Sequence, residues 1–533
     1  MLKIKAMESK KTELFLLTAI SAVFVFLCFY ASPYVRGSDQ YWHITNIKSI
    51  LGGTFSSNEY YPSMIFNPEW NGQPMPFIHN TPVMYIWAAF AAVIGHPETA
   101  AVTVNILFSL ATALILKKAV GNITGGKYSL FAFALFLLFP LTYWQTSQIL
   151  VEVSAMFFIS AALYIAFFKT NLRWGALAAV LAVIALVSRE HVAFFAIAVF
   201  VLIFIKCDVA GRKKWPHYLA IVLFSLTLFV LEGKLMPEAT SAFGKSFMEG
   251  LYAVSVFYVH YYETPAVTAV ITEGSLLLNF VNKIPRMFGK AFSLSMYNLL
   301  FSYPFFMALI MGMAISIRGV IRKQKYFFRL FAVFFLVALT IFATSIYFQF
   351  QVRYTIVFIP LLIAAILMAA EKSSSIKAIL EKRRKLAAAV VSVLLVGLAG
   401  MNTMLAINAR KETISENNFV SGIEHKLKNY IGEEDTILCL SNDSMPPLLA
   451  YLAYPSKIIQ IDFGLDEEIY QSKENNDISD MLVKLEKNNL TPQWILCENN
   501  ANESRAYKQI EQTYSLQFKE TAEEFSLYEC VRK

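Results

Sequence analysis

Apolar residues in this chain come in runs of roughly 18–22, the length needed to cross about 30 Å of hydrocarbon. In lipid every backbone N–H and C=O must be satisfied inside the protein, so such runs have to be helices. They read at about 12–31, 100–117, 128–144, 150–168, 174–188, 191–206, 217–233, 292–316, 328–347, 354–370 and 386–406, some eleven spans. The chain is therefore expected to be a polytopic α-helical membrane protein. Only 16% of the 533 residues are charged, against about 25% in a soluble domain.

The charges between the runs set a topology. Lys3, Lys5, Lys10 and Lys11 precede the first run, which is too long for a cleaved signal and reads as an anchor. Basic loops stay inside, so the N-terminus is expected in the cytoplasm. Further basic loops follow: Lys117, Lys118 and Lys127; Lys169 and Arg173; Lys206, Arg212, Lys213 and Lys214; Arg318, Arg322, Lys323, Lys325 and Arg329; and "EKSSSIKAILEKRRK", 371–385. All fall on the cytoplasmic side if the short stretch 81–95, "TPVMYIWAAFAAVIG", does not cross. It reads as a juxtamembrane or re-entrant helix on the outer face; a crossing there would invert everything downstream.

Two outer loops then stand out, 32–99 and 234–290, within a membrane domain of residues 1–406. The remainder, 407–533, reads as a soluble extracytoplasmic α/β domain. Residues 411–533 hold 12 Lys+Arg against 22 Asp+Glu, a net −10, which leaves 34 against 16, or +18, for the rest. That basic excess is spread over short loops and forms no nucleic-acid stripe. In the tail, "TILCLS" (436–441), "KIIQID" (457–462), "QWILCEN" (493–499) and "FSLYECV" (525–531) read as strands. Residues 417–431, 445–455 and 476–489 read as helices. No Gly-rich phosphate loop is present, so an accessory or acceptor-docking domain is expected. Cys28, Cys207, Cys439, Cys497 and Cys530 form no CxxC pair and read as buried free thiols.

A few ionisable residues sit where the topology does not ask for them. Asp39 and His43, in "RGSDQYWHITNI", share one side of a helix just outside the first span. Asp39 is either a helix cap or a functional carboxylate. Glu152 opens the fourth span, and is either a functional group or the partner of a cation such as Arg189. Arg189, Glu190 and His191 make a charged outer turn, where a snorkelling arginine is the alternative. Arg353, before Tyr354, lies at the outer start of the tenth span against the positive-inside bias, and its donor fork suits a phosphate. Together they describe an outer cavity with carboxylates and arginines beside lipid. Arginines there can hold a leaving phosphate while a carboxylate takes the proton of an attacking hydroxyl.

This layout resembles the GT-C superfamily of membrane glycosyltransferases, and within it the bacterial relatives of protein O-mannosyltransferases and of the lipid A aminoarabinose transferase. Matching features are the acid after the first span (Asp39), the Pro-led apolar helix of 81–95, and the acid opening the fourth span (Glu152). A basic outer turn (Arg189) and the run "RYTIVFIP" with Arg353, Tyr354 and Pro360 complete them. The resemblance implies a polyprenyl-phosphate-linked sugar as donor and an outer-face glycan, lipid or protein as acceptor. It also implies inverting displacement, with Asp39 as general base. Glu152 is assigned as a second catalytic acid. His43, Arg189, His191, Arg353 and Tyr354 are assigned to the substrate and lipid phosphate. No cofactor or metal is expected, with a divalent metal as the alternative. The competing classes are a transporter or flippase for lipid-linked glycans, which would need internal repeats, and a non-catalytic scaffold.

Overall fold

The computed structural model describes residues 2–31, 38–54, 58–60, 81–169, 171–189, 192–206, 303–321, 325–347, 352–373, 377–378, 382–440, 445–461, 478–498, 505–523 and 525–533. The expected span at 217–233 and the outer loop 234–290 lie outside them, as do His191 and Cys207. The described residues fall into two compact units. The first takes residues up to 31, then 102–206 and 303–410; the second takes 38–101 and 411–533. The segment expected as the first outer loop thus groups with the tail rather than with the spans that flank it.

Among the described residues the first unit is all helical. It contains α1 (Leu2–Ala31), most of α4 (Pro97–Thr124), α5 (Ser129–Leu138), α6 (Pro140–Thr146), α7 (Glu152–Phe168), α8 (Leu172–Ser188) and α9 (Ala193–Lys206). After these come α10 (Tyr303–Ile321), α11 (Lys325–Tyr347), a 3₁₀ turn (Val352–Phe358), α12 (Ile359–Lys372) and the first part of α13 (Arg384–Leu427). Among the described residues five helices are long and apolar enough to span a membrane, six counting the pair α5 and α6. Leu14, Phe15, Val393 and Val396 remain exposed on their helices, as side chains that face lipid should. Gly312 and Gly319, two turns apart on α10, make room for the rings of Phe334 and Phe327 on α11; a Cβ at either glycine would overlap them.

The span expected at 128–144 is broken. Pro140 has no N–H to give, and α5 and α6 meet there at 58°. A break inside lipid leaves backbone carbonyls that only protein can satisfy. Buried Asn402 of α13 donates to Leu138 O at 3.2 Å. Ser109 and Thr146 share a hydrogen bond of 2.7 Å. Asn105 of α4, fully buried, donates to both Gln148 O (2.9 Å) and Leu150 O (3.1 Å) in the linker before α7.

The second unit is built on a six-stranded sheet of order β1-β3-β2-β4-β6-β5. Its strands are β1 (Glu59–Tyr60), β2 (Thr436–Leu440), β3 (Lys457–Ile461), β4 (Trp494–Glu498), β5 (Tyr514–Ala522) and β6 (Phe525–Arg532). β1, β3, β2 and β4 run parallel, and β6 and β5 are antiparallel. All five residues of β2 are buried, as expected for a strand covered on both faces. On one face Leu438, Leu440, Ile459 and Ile495 pack against Leu482 and Leu485 of α15 (Ile478–Lys487) and Ile510 of α16 (Arg505–Thr513). On the other, Ile437, Cys439, Ile458 and Leu496 pack against Ile423 and Leu427 of α13 and Leu448 and Leu449 of α14 (Met445–Leu452). The helix expected over 417–431 is the end of α13, which runs unbroken from Arg384 to Leu427. Burial pushes the Cys530 thiol up to about 12, with Glu529 adding to it. Cys28, Cys439 and Cys497 are buried as expected, whereas Cys530 is half-buried.

Candidate active site

α7 and α8 form an antiparallel hairpin, so the first residue of one lies beside the last residue of the other. Glu152 opens α7 and Arg189 caps the end of α8 in extended conformation. An acid at a helix start and a base at a helix end each sit at the favourable pole of the backbone dipole. Here the two meet: Arg189 Nη2 donates to Glu152 Oε1 at 2.9 Å. The 3₁₀ turn packs against α6 and α7 and delivers a second guanidinium, with Arg353 Nε 3.5 Å from the same Oε1. The Tyr354 ring lies beside both cations, its centroid 5.9 Å from Arg189 Cζ and 5.4 Å from Arg353 Cζ. Four residues singled out from three separate stretches of sequence therefore converge.

The electrostatics follow from burial. The Glu152 side chain is 0% exposed, Arg189 11% and Arg353 20%. Within this contact set one carboxylate faces two guanidiniums, so the donors outnumber the acid that holds them. Arg353 has the most access to solvent and is the open side of the cluster.

Asp39 and His43 belong to the second unit, on α2 (Ser38–Leu51). Asp39 is half-buried in the first turn of α2, inside the helix rather than ahead of it. The His43 ring, 2% exposed, lies 5.4 Å from the Trp42 ring and edge-on at 5.8 Å to Trp87 of α3 (Thr81–Ile94). α3 is the stretch expected not to cross, and its 14 residues are fewer than a span requires. Asn46, one turn beyond His43 on the same face, is also fully buried, and its amide has no partner among the described residues. The sequence reading missed Asn46; its spacing of seven from Asp39 was the available signal.

The rest of α2 is anchored to the tail. Tyr41 Oη donates to Glu416 at 2.7 Å. Lys48 Nζ donates to Tyr451 O at 2.9 Å and sits 4.0 Å above that ring, while Tyr451 Oη donates to Glu98 at 3.0 Å. Burial pulls the Lys48 ammonium below its ordinary range, against the opposing pull of Glu98. Asn58 donates to Ala450 O and Ser456 O. Among the described residues no three His, Cys, Asp or Glu side chains converge as a metal site would require.

Residues 79–231 match the family model described as dolichyl-phosphate-mannose-protein mannosyltransferase. That stretch holds Glu152 and Arg189 but is less than a third of the chain. Among solved structures, ArnT from Cupriavidus metallidurans bound to undecaprenyl phosphate is similar at 12% identity and a TM-score of 0.54, over 96% of this chain and 97% of that one. The oligosaccharyltransferase of Archaeoglobus fulgidus, tethered to an acceptor peptide containing the NVT sequon, is similar at 13% identity and a TM-score of 0.50, over 98% of this chain and 74% of that one. A comparison with curated proteins finds no match. At such identities the likeness establishes the fold.

Proposed function

From the premise that this is an integral membrane protein of the GT-C fold, we propose that it transfers a sugar from a polyprenyl-phosphate carrier to a glycan, lipid or protein acceptor at the outer face of the membrane. The Glu152–Arg189–Arg353 cluster carries the reading. A sugar phosphodiester brings one negative charge to the two guanidiniums. As the bond between the anomeric carbon and the phosphate oxygen breaks, the carrier becomes a monoester with a second negative charge. Arg189 and Arg353 therefore bind the departing group more strongly than the ground state, which is what lowers a barrier. The acceptor oxygen forms the new bond to the anomeric carbon, and its proton goes to Asp39. Glu152 fixes the two guanidiniums and Tyr354 packs beside them, so Glu152 orients phosphate ligands rather than moving a proton. The ArnT structure with undecaprenyl phosphate supports the donor class. The tethered acceptor peptide of the archaeal enzyme supports the acceptor side. No step of this transfer calls on a metal.

The test is binding of undecaprenyl phosphate to the purified chain. Arg353→Lys keeps the charge but loses the two-donor fork. Both it and Arg189→Ala are expected to weaken binding about tenfold or more, since a hydrogen bond to a charged group contributes roughly 1.5–3 kcal/mol. Unchanged binding in both variants would return the arginines to a structural role.

The proposed orientation has its own test. In a variant lacking the five native cysteines, Ser515→Cys in exposed β5 should react with a membrane-impermeant thiol reagent in intact cells. Ala378→Cys, also exposed, should react only after the membrane is opened. The reverse pattern would put the tail in the cytoplasm and remove the outer-face reading.

A further inference from the structure

A cavity of about 390 Å³ opens between the end of α4 and the start of α5, lined by Leu114, Lys117, Lys118, Gly121, Asn122 and Ser129. Lys118 lies thirteen residues beyond Asn105, whose amide holds the linker before Glu152. At 1.5 Å per residue that is roughly 20 Å along α4. The cavity therefore sits toward the opposite membrane face from the Glu152 cluster and plays no part in the chemistry proposed there.

Its charge is specific. Lys117 is spoken for, with Nζ 2.7 Å from Glu13, and nearby Lys127 lies 3.5 Å from Glu371. Lys118 is exposed, its ammonium 6.0 Å from the Tyr164 ring centroid, and no carboxylate pairs with it among the described residues. Its shape is equally telling. Leu114 and Leu107 precede Lys118 by four and eleven residues, so all three share one face of α4. The two leucines are 53% and 47% exposed. That face reads as an apolar track ending in a cation, an amide and a hydroxyl. Ser129 Oγ already donates to Gly126 O at 3.0 Å and keeps a lone pair for a donor such as a headgroup hydroxyl.

We propose that this cavity binds the phosphate of an anionic phospholipid, held by Lys118 and Asn122, with an acyl chain lying along Leu114 and Leu107. Basic pockets between membrane helices favour such headgroups. A free phosphate would use the same lysine but leave the leucine track idle, and the two sources separate by experiment.

The test titrates phosphatidylglycerol and phosphatidylcholine onto the detergent-purified full chain, with bound lipid counted by native mass spectrometry. The chain is expected to hold phosphatidylglycerol the more tightly. Lys118→Gln should weaken phosphatidylglycerol about fivefold, the equivalent of roughly 1 kcal/mol for one lysine near the surface, and leave phosphatidylcholine unchanged. Gly121→Leu keeps every charge but fills the cavity, and should remove the preference as well. Gly121→Ala should keep it, because a Cβ there meets Ser129 Cβ at an ordinary 3.6 Å. Millimolar inorganic phosphate should not displace the lipid. Displacement by inorganic phosphate would overturn the lipid assignment in favour of a free anion. Equal binding of the two lipids, or an unaltered preference in Lys118→Gln, would overturn the site; that variant changes an exposed side chain and does not depend on the fate of Gly121→Leu.

Discussion

Asp39→Asn is expected to lower sugar transfer on the order of 10²–10⁴-fold, the usual contribution of a positioned general base, at unchanged protein level. Asn keeps the size of Asp and its carbonyl oxygen but cannot take a proton from an attacking hydroxyl. The structural cost is small, because Asp39 lies in the first turn of α2, where a carboxylate contributes about 0.3–1 kcal/mol through the helix dipole. Asp39→Ala would remove packing and charge together and is the poorer choice. The readout is restoration of the glycan lost on deleting the gene. Full restoration by Asp39→Asn would leave the residue as a dipole partner of α2 and the reaction without its proposed base.

Arg189→Ala is expected to destabilise the protein by about 3–5 kcal/mol, because it takes from the wholly buried Glu152 carboxylate its 2.9 Å cationic partner. The double variant Glu152→Gln with Arg189→Met removes both charges of the tight pair. It should recover most of that loss in thermal unfolding, since Arg353 at 20% side-chain exposure can turn toward water. The two readings of the cluster then separate through the coupling of the two positions. A structural ion pair predicts that activity returns with stability. A phosphate clamp predicts a folded protein that stays inactive. Recovery of both would remove the clamp from the mechanism.

The cluster was legible in the sequence because each member broke a rule. Glu152 interrupts an apolar run, and Arg189 and Arg353 stand at span ends that the charge pattern assigns to the outer face, where cations are not expected. What linear reading lacks is the hairpin of α7 and α8 that makes Glu152 and Arg189 neighbours. The break at Pro140 was written in the sequence but hidden by hydropathy, which stays high through "FALFLLFPLTYW". Asn105 and Ser109, four apart inside an apolar run, marked the buried face of α4 in the same way and were passed over. α13 was divided because apolarity ends near Ile407 while helix-forming residues continue through "NARKETISEN". β5 escaped for the opposite reason: several of its residues are exposed, and it has no clean alternation to betray a strand. β1, only two residues long, carries no periodic signal at all.

That short strand imposes an order on biogenesis. Glu59 and Tyr60 pair with Ile458 and Ile459, about 400 residues later in the chain. Synthesis at roughly 5–20 residues per second separates the two partners by about 20–80 s. Throughout that interval the segment around β1, with Asn58 and its two distant acceptors, waits without its sheet while the intervening spans are made. The loop that carries Asp39 therefore matures last, when the carboxyl end of the chain arrives to close it. A ribosome that stops short of residue 457 leaves a protein with the helices of its first unit made and the segment around β1 unfinished.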